Sequence, residues 1–174
     1  YYIYDPKTYG DVSLTMVAEN QGRNNNNVSL VCRLDYDNAR WYEFSVESGG
    51  LWYLYAYDEG YNTMDSGGTN ALKQGKAINE YSMTCEGNVI TMYINGDELK
   101  SYTDRNFNLG DGQVGFNVSS LNVLPITVNV VGDSVLEANE PFAVNLSNPS
   151  GGSSADGQGI GTINNDDSAS LAIN

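Results

Sequence analysis

The sequence predicts an all-β chain: an antiparallel jelly-roll sandwich followed by a shorter, partial β-sandwich segment. Apolar and polar residues alternate strictly in short runs, which sets one face of each run in a core and the other outside. Gly, at 19 of 174 residues, and Asn, as in the NNNN run at 24–27, punctuate those runs at turn spacing. No stretch carries the longer apolar period of an amphipathic helix.

The strands follow in order. In DVSLTMVAE, Val12, Leu14, Met16 and Ala18 share one face. In NVSLVCRLD, Val28, Leu30, Cys32 and Leu34 do the same. WYEFSV (41–46) runs into the turn SGG (48–50), and LWYLYAYD (51–58) is the next strand. EYSMTC (80–85) comes after a longer polar loop. Gly87–Asn88 marks one tight turn, and Asn95–Gly96, between ITMYI and ELKSY, fits a two-residue type I′ hairpin. GQVGFNVSS (112–120) and NVLPITVNVV (122–131) complete the antiparallel set. Short strands with this punctuation imply a sandwich or jelly roll.

After Val131 the texture changes: Phe142 is the last aromatic, and small polar residues take over. FAVNLSN and GIGTINN read as strands with a Gly/Ser loop between them. We therefore divide the chain into residues 1–125 and 126–174. An isolated hairpin is marginal in water, so the second segment needs something to pack on, either the first domain or another chain.

The formal net charge is −14, from 22 acidic and 8 basic residues. Residues 126–174 hold six of the acids and no Lys or Arg. Nucleic acid is excluded as a partner, because phosphate binding needs clustered cations. No transmembrane run is present, which argues against membrane insertion. The chain opens on YYIYDP without Met and reads as a segment of something longer.

Cys32 and Cys85 lie in apolar alternations, as two buried thiols or one disulfide between strands; the core-like surroundings favour thiols. With no His and no C-x-x-C, a structural zinc site and the His-based nucleophile arrangements are absent. DYDN at 35–38 starts like a calcium loop, but Ala39 and Arg40 follow where ligands and the turn Gly belong. Glu43 and Glu47, or Asp58 and Glu59, could pair as glycosidase acids, yet an acidic chain produces such pairs by chance. Three N-x-S triplets, at Asn27, Asn117 and Asn145, carry little weight in an Asn-rich chain.

The stretch RWYEFSVESGGLWYLYAYDEGYN is the most functional in character. The pleat puts Tyr53, Tyr55 and Tyr57 on one face, with Asp58 and Tyr61 nearby. Such a row suits a sugar: rings stack on apolar C–H faces while carboxylates accept from hydroxyls. Cross-strand aromatic pairs also stabilise sheets without any ligand, and both readings stand.

Residues 1 to about 128 resemble a concanavalin A-like jelly roll of the laminin G and glucanase type, on VSLVCRLD, WYEFSVESGG, the ITMYING hairpin and GQVGFNVSS. Members of that superfamily mostly bind carbohydrate, and some are hydrolases; the E-x-D-x-x-E acids expected of the glucanases are missing, which favours binding. ITVNVVGDSVLEANEPFAVNLSNPSGG and then DGQGIGTINNDD resemble the second half of a Calx-beta domain, residues 126–167. That resemblance implies a calcium-binding sandwich in a surface or adhesion protein, with Asn165, Asp166 and Asp167 as part of its ligand cluster. Ca²⁺ takes six to eight oxygens, so the site is incomplete and binds weakly at most in this chain alone.

These expectations combine into an extracellular, non-catalytic carbohydrate-binding or adhesive module of a bacterial surface protein, whose partner is a glycan or cell-surface polysaccharide. The alternatives are a fibre or sheath subunit that self-associates through exposed strand edges, and a glycoside hydrolase.

Overall fold

A computed structural model describes residues 2–20, 26–120, 126–129, 140–145 and 158–163. Its elements are thirteen β-strands: β1 Tyr2–Tyr9, β2 Val12–Asn20, β3 Asn26–Asp35, β4 Arg40–Glu47, β5 Leu51–Tyr57, β6 Tyr61–Gly68, β7 Ala77–Glu86, β8 Val89–Ile94, β9 Asp97–Thr103, β10 Gly112–Ser120, β11 Ile126–Asn129, β12 Glu140–Asn145 and β13 Gln158–Ile163. Every pairing is antiparallel. A six-stranded sheet in the order β1-β10-β3-β4-β5-β6 packs on a five-stranded sheet, β11-β2-β7-β8-β9, and β12-β13 form a separate hairpin ladder. The predicted all-β sandwich is therefore the observed architecture.

The alternation does what it implies. Leu30, Cys32, Tyr42, Phe44, Val46, Trp52, Leu54 and Ala56 face inward from the six-stranded sheet. Met16, Ala18, Tyr81, Met83, Cys85, Ile90, Met92 and Ile94 meet them from the other. Burial pushes the Tyr81 phenol up to about 12. The Asn95–Gly96 turn has positive φ at both residues, 52° and 84°, as a type I′ hairpin requires.

Cys32 and Cys85 form a disulfide, which corrects the expectation of two thiols. Their Cα atoms stand 6.8 Å apart, on β3 and β7, so the bond spans the two sheets through the core. Alternation showed both cysteines facing inward, but not that they face each other across the sandwich.

Two strands escaped the sequence reading. β1 contains Pro6 and shifts register between Tyr4 and Tyr9, so its alternation is broken. β6, YNTMDSGG, is an edge strand with Asp, Ser and Gly where apolar residues would signal a core face. Beyond the division drawn at residue 125, β11 pairs with β2 and extends the five-stranded sheet.

Both ends of the sandwich are closed by loops that insert a leucine. At one end the β6–β7 loop buries Leu72. Buried Asn79 holds that loop by accepting from Lys73 N and donating to Lys73 O, each at 2.8 Å. At the other end Asp104, itself fully buried, organises the β9–β10 loop that buries Leu109. Its carboxylate accepts from the backbone N–H groups of Asn106 (3.0 Å), Phe107 (3.2 Å) and Asn108 (2.6 Å) and from the Tyr42 hydroxyl (2.5 Å). Burial alone disfavours its charge, yet these four donors outweigh it and hold the carboxyl below its ordinary value. The Tyr42 phenol is raised by its burial and by that carboxylate.

Beside this end, Arg33 lies on a bulge at φ 55°. Its guanidinium reaches Asp11 (3.2 Å), Asp111 (3.4 Å) and the Gly87 carbonyl (3.0 Å), tying three turns together. Gly112 lets the chain pass against this bulge, since a Cβ there would collide with the Arg33 and Leu34 backbone.

Candidate functional site

Register, more than local sequence, assembles the candidate site. Across β4 and β5, Trp41 opposes Tyr57, Glu43 opposes Tyr55 and Ser45 opposes Tyr53. Tyr57 in turn opposes Tyr61 on β6, and Tyr55 opposes Thr63. Toward the other side of the sheet, Ser29 opposes Ser45 and Asn27 opposes Glu47. The residues between these positions are core, so the whole set lies on the outer face of the six-stranded sheet. Tyr53, Tyr55, Tyr57 and Tyr61 share one face as predicted.

The rings do not lie flat as a simple row. Trp41 and Tyr57 stack face to face at 4.0 Å with planes 1° apart. Tyr53 and Tyr55 run parallel at 5.6 Å. Tyr61 meets Trp41, Tyr55 and Tyr57 edge-on at 6.4, 5.2 and 5.0 Å. Each ring thus satisfies part of its π surface within the cluster, in the offset and T-shaped geometries that aromatic quadrupoles favour.

Glu43 lies beneath these rings and is buried. One oxygen, Oε2, accepts from Trp41 Nε1 at 3.2 Å and from the Tyr61 hydroxyl at 3.1 Å. The Tyr55 phenol is raised chiefly by burial, then by Tyr53 and by the Glu43 and Glu47 carboxylates. Asp58, expected as a sugar acceptor, is instead bound to Arg40 at 3.0 Å. Asp35 spends its carboxylate on the turn, accepting from Asn38 N and Nδ2, and these bonds lower its pKa.

The centre of the face is closed to solvent: Val31, Ser29, Ser45 and Glu43 are all buried. Ser45 Oγ donates to Asn27 Oδ1 at 2.8 Å. Ser29, 1 % exposed, has no hydrogen-bond partner for its hydroxyl among the described residues. Such a group costs about 1–3 kcal/mol in desolvation. The accessible part of the site is therefore the β5–β6 flank, where Tyr53, Tyr55 and Tyr57 are half-buried and Tyr61 is exposed.

The sequence assigned Trp41 no place in the site, and it offered Glu43 and Glu47 only as a pair that an acidic chain also produces by chance. The signal was present in WYEFSVE, whose alternation puts Trp41, Glu43, Ser45 and Glu47 on one side. Only the pairing with β5 shows that this side is the tyrosine side. Asn165, Asp166 and Asp167 lie outside the described residues. Among the described residues no group of three His, Cys, Asp or Glu side chains is placed to hold a metal ion, and no helix is long and apolar enough to cross a membrane.

The arrangement defines a jelly-roll sandwich with an aromatic, acid-bearing outer face. No protein-family model matches the chain, and no curated protein matches it in sequence. Solved structures do match its fold. The carbohydrate binding module CBM66 from Bacillus subtilis superposes with a TM-score of 0.57 at 15% identity, over 71% of this chain and 74% of that one. A tetrameric galectin from the ball sponge Cinachyrella sp. gives 0.52 at 13% identity, over 74% of this chain and 93% of that one. These likenesses support the jelly-roll sandwich that the sequence resemblance implied for the first part of the chain.

Proposed function

We propose that this chain is a non-catalytic carbohydrate-binding module of an extracellular bacterial surface protein, and that it holds a glycan against Tyr53, Tyr55, Tyr57 and Tyr61 with Asp58 at the rim. One observation carries the reading: four tyrosines, a tryptophan and two carboxylates converge on one sheet face. The disulfide supports an oxidising, extracellular setting. The fold is also that of proteins described as a carbohydrate-binding module and a galectin.

Residues 126–174 enter the proposal as a partial Calx-beta-like segment. Asn165, Asp166 and Asp167 would form part of a calcium cluster completed by another chain or repeat, a route by which exposed strand edges could also drive assembly.

A glycan array with and without Ca²⁺ tests the reading. We expect calcium-independent binding, weakened about tenfold in Tyr55→Ala, with the thermal transition of the variant showing that it still folds. Failure to bind any glycan would sink the proposal. A hydrolase is the second reading, because Glu43 and Glu47 share the face with Ser45 between them. Shortened glycan products that vanish in Glu47→Ala would establish it instead.

A further inference from the structure

We infer that the tyrosine face prefers glycans bearing free amino groups, such as deacetylated hexosamine oligomers, over N-acetylated or uronate-bearing ones; the inference rests on the carbohydrate-binding reading above. The charges of the face give the reason. Strands β4, β5 and β6 carry one cation, Arg40, and Asp58 already occupies it. Against it stand Glu43 and Glu47, both on the outer face of β4. Glu43 sits under the rings, where low exposure keeps its field from being screened. Glu47 is half-buried at the edge of the ring cluster, and its carboxylate has no hydrogen-bond partner among the described residues.

The face is therefore rich in negative charge and short of positive charge. An ammonium brings three donors and a positive charge, and it is favoured both by carboxylates and by the negative faces of aromatic rings. A uronate or sulfate brings the wrong sign and would find no unpaired guanidinium on these three strands. The Tyr55 phenol is raised first by burial and then by Tyr53, with Glu43 and Glu47 adding to the shift in the same direction, which is consistent with a negative field at the ring row.

Calorimetric titration with three probes of equal length tests this: oligomers of N-acetylglucosamine, the same oligomers fully deacetylated, and oligogalacturonate. At mildly acidic pH the deacetylated oligomer should bind about tenfold more tightly than the acetylated one, and the uronate should not bind. Glu47→Gln should reduce that preference to about twofold, while Glu98→Gln, on the opposite sheet, should leave it intact. Equal affinity for both hexosamine oligomers, or tighter binding of the uronate, overturns the inference while leaving carbohydrate binding standing. Equal loss of preference in Glu98→Gln also overturns it, by assigning the effect to net charge. Failure to bind any of the three probes or any glycan on the array removes both readings together.

Discussion

The two outer faces of the sandwich obey the same alternation and carry different chemistry. On the five-stranded sheet, Ser13, Thr84, Thr91 and Ser101 form one row across β2, β7, β8 and β9, and Thr15 and Ser82 begin the next, which runs on through Tyr93 and Glu98. Serine and threonine hydroxyls bond to one another across strands, Thr15 to Ser82 at 3.0 Å and Thr91 to Ser101 at 3.1 Å. Small hydroxyls of this kind are sufficient to finish a solvent-facing sheet. The six-stranded sheet puts Trp41, Glu43, Tyr53, Tyr55 and Tyr57 in the equivalent positions, and buries a carboxylate among them. A buried acid and a cluster of phenols exceed what sheet formation asks for, and this difference between the faces is what the proposed binding role rests on.

The covalent link between the sheets offers the most severe break. Cys32 and Cys85 close a loop with a sequence separation of 53. Chain-entropy arguments assign such a crosslink about 4 kcal/mol. Cys32→Ala combined with Cys85→Ala should lower the unfolding free energy in denaturant by about 2–4 kcal/mol. Both faces should fail together, in one transition, if the sandwich is a single cooperative unit. Separate transitions for the tyrosine and the hydroxyl face would mean that the sheets are independent.

Asp104 sharpens the comparison: its backbone pairs with Asn88 at the turn of the hydroxyl-bearing sheet, while its carboxylate reaches across to the tyrosine-bearing sheet. It anchors Tyr42, whose chain neighbours Trp41 and Glu43 point into the site. Replacing it by Ala leaves three backbone N–H groups and a buried phenol without their acceptor, and should cost about 2–4 kcal/mol. The pH dependence follows from the sign of its shift. Its folded pKa lies below the ordinary 3.8, so its stabilisation is fully present above that value and is lost as pH falls through the lower, folded value. Denaturation midpoints of the wild type and of Asp104→Ala should therefore converge in strong acid. A gap that stays constant from neutral pH to strong acid would show that the carboxylate's charge is not what holds the loop.

Much of this architecture is written in local sequence, and the site only in part. Alternation located the core faces of β2 and β3, because each places one residue in two against the opposite sheet, and it marked β4, β5, β7 and β8 as strands. It could not detect β6, whose exposed Asn62, Thr63 and Ser66 leave an edge strand with the composition of a loop. The tyrosine row was readable from LWYLYAY alone. The acid at its centre was not, since Glu43 becomes part of the row only through a non-local register with Tyr55. The disulfide was hidden for the same reason: two inward cysteines become neighbours only once the sheets are stacked. Asp58 shows the converse case, a residue close in sequence to the row whose pairing with Arg40 the sequence did not reveal.

The smallest expected effect bears most directly on the contrast between the faces. Thr91→Ala on the hydroxyl face removes one exposed cross-strand bond and should shift stability by about 0.5 kcal/mol or less. Tyr57→Ala removes the ring stacked on Trp41 and touched edge-on by Tyr61, and should cost about 1–2 kcal/mol. Paired denaturant titrations of the two variants measure the difference. A cost for Tyr57 near that of Thr91 would mean that the rings add nothing to the sheet, and their presence would then need a ligand to explain it. A cost of the expected size makes the stacked pair structural and shifts the expected binding surface toward Tyr53, Tyr55 and Tyr61. Glycan affinity in the same Tyr57→Ala variant separates these cases, because a ring used only for packing should alter stability far more than binding.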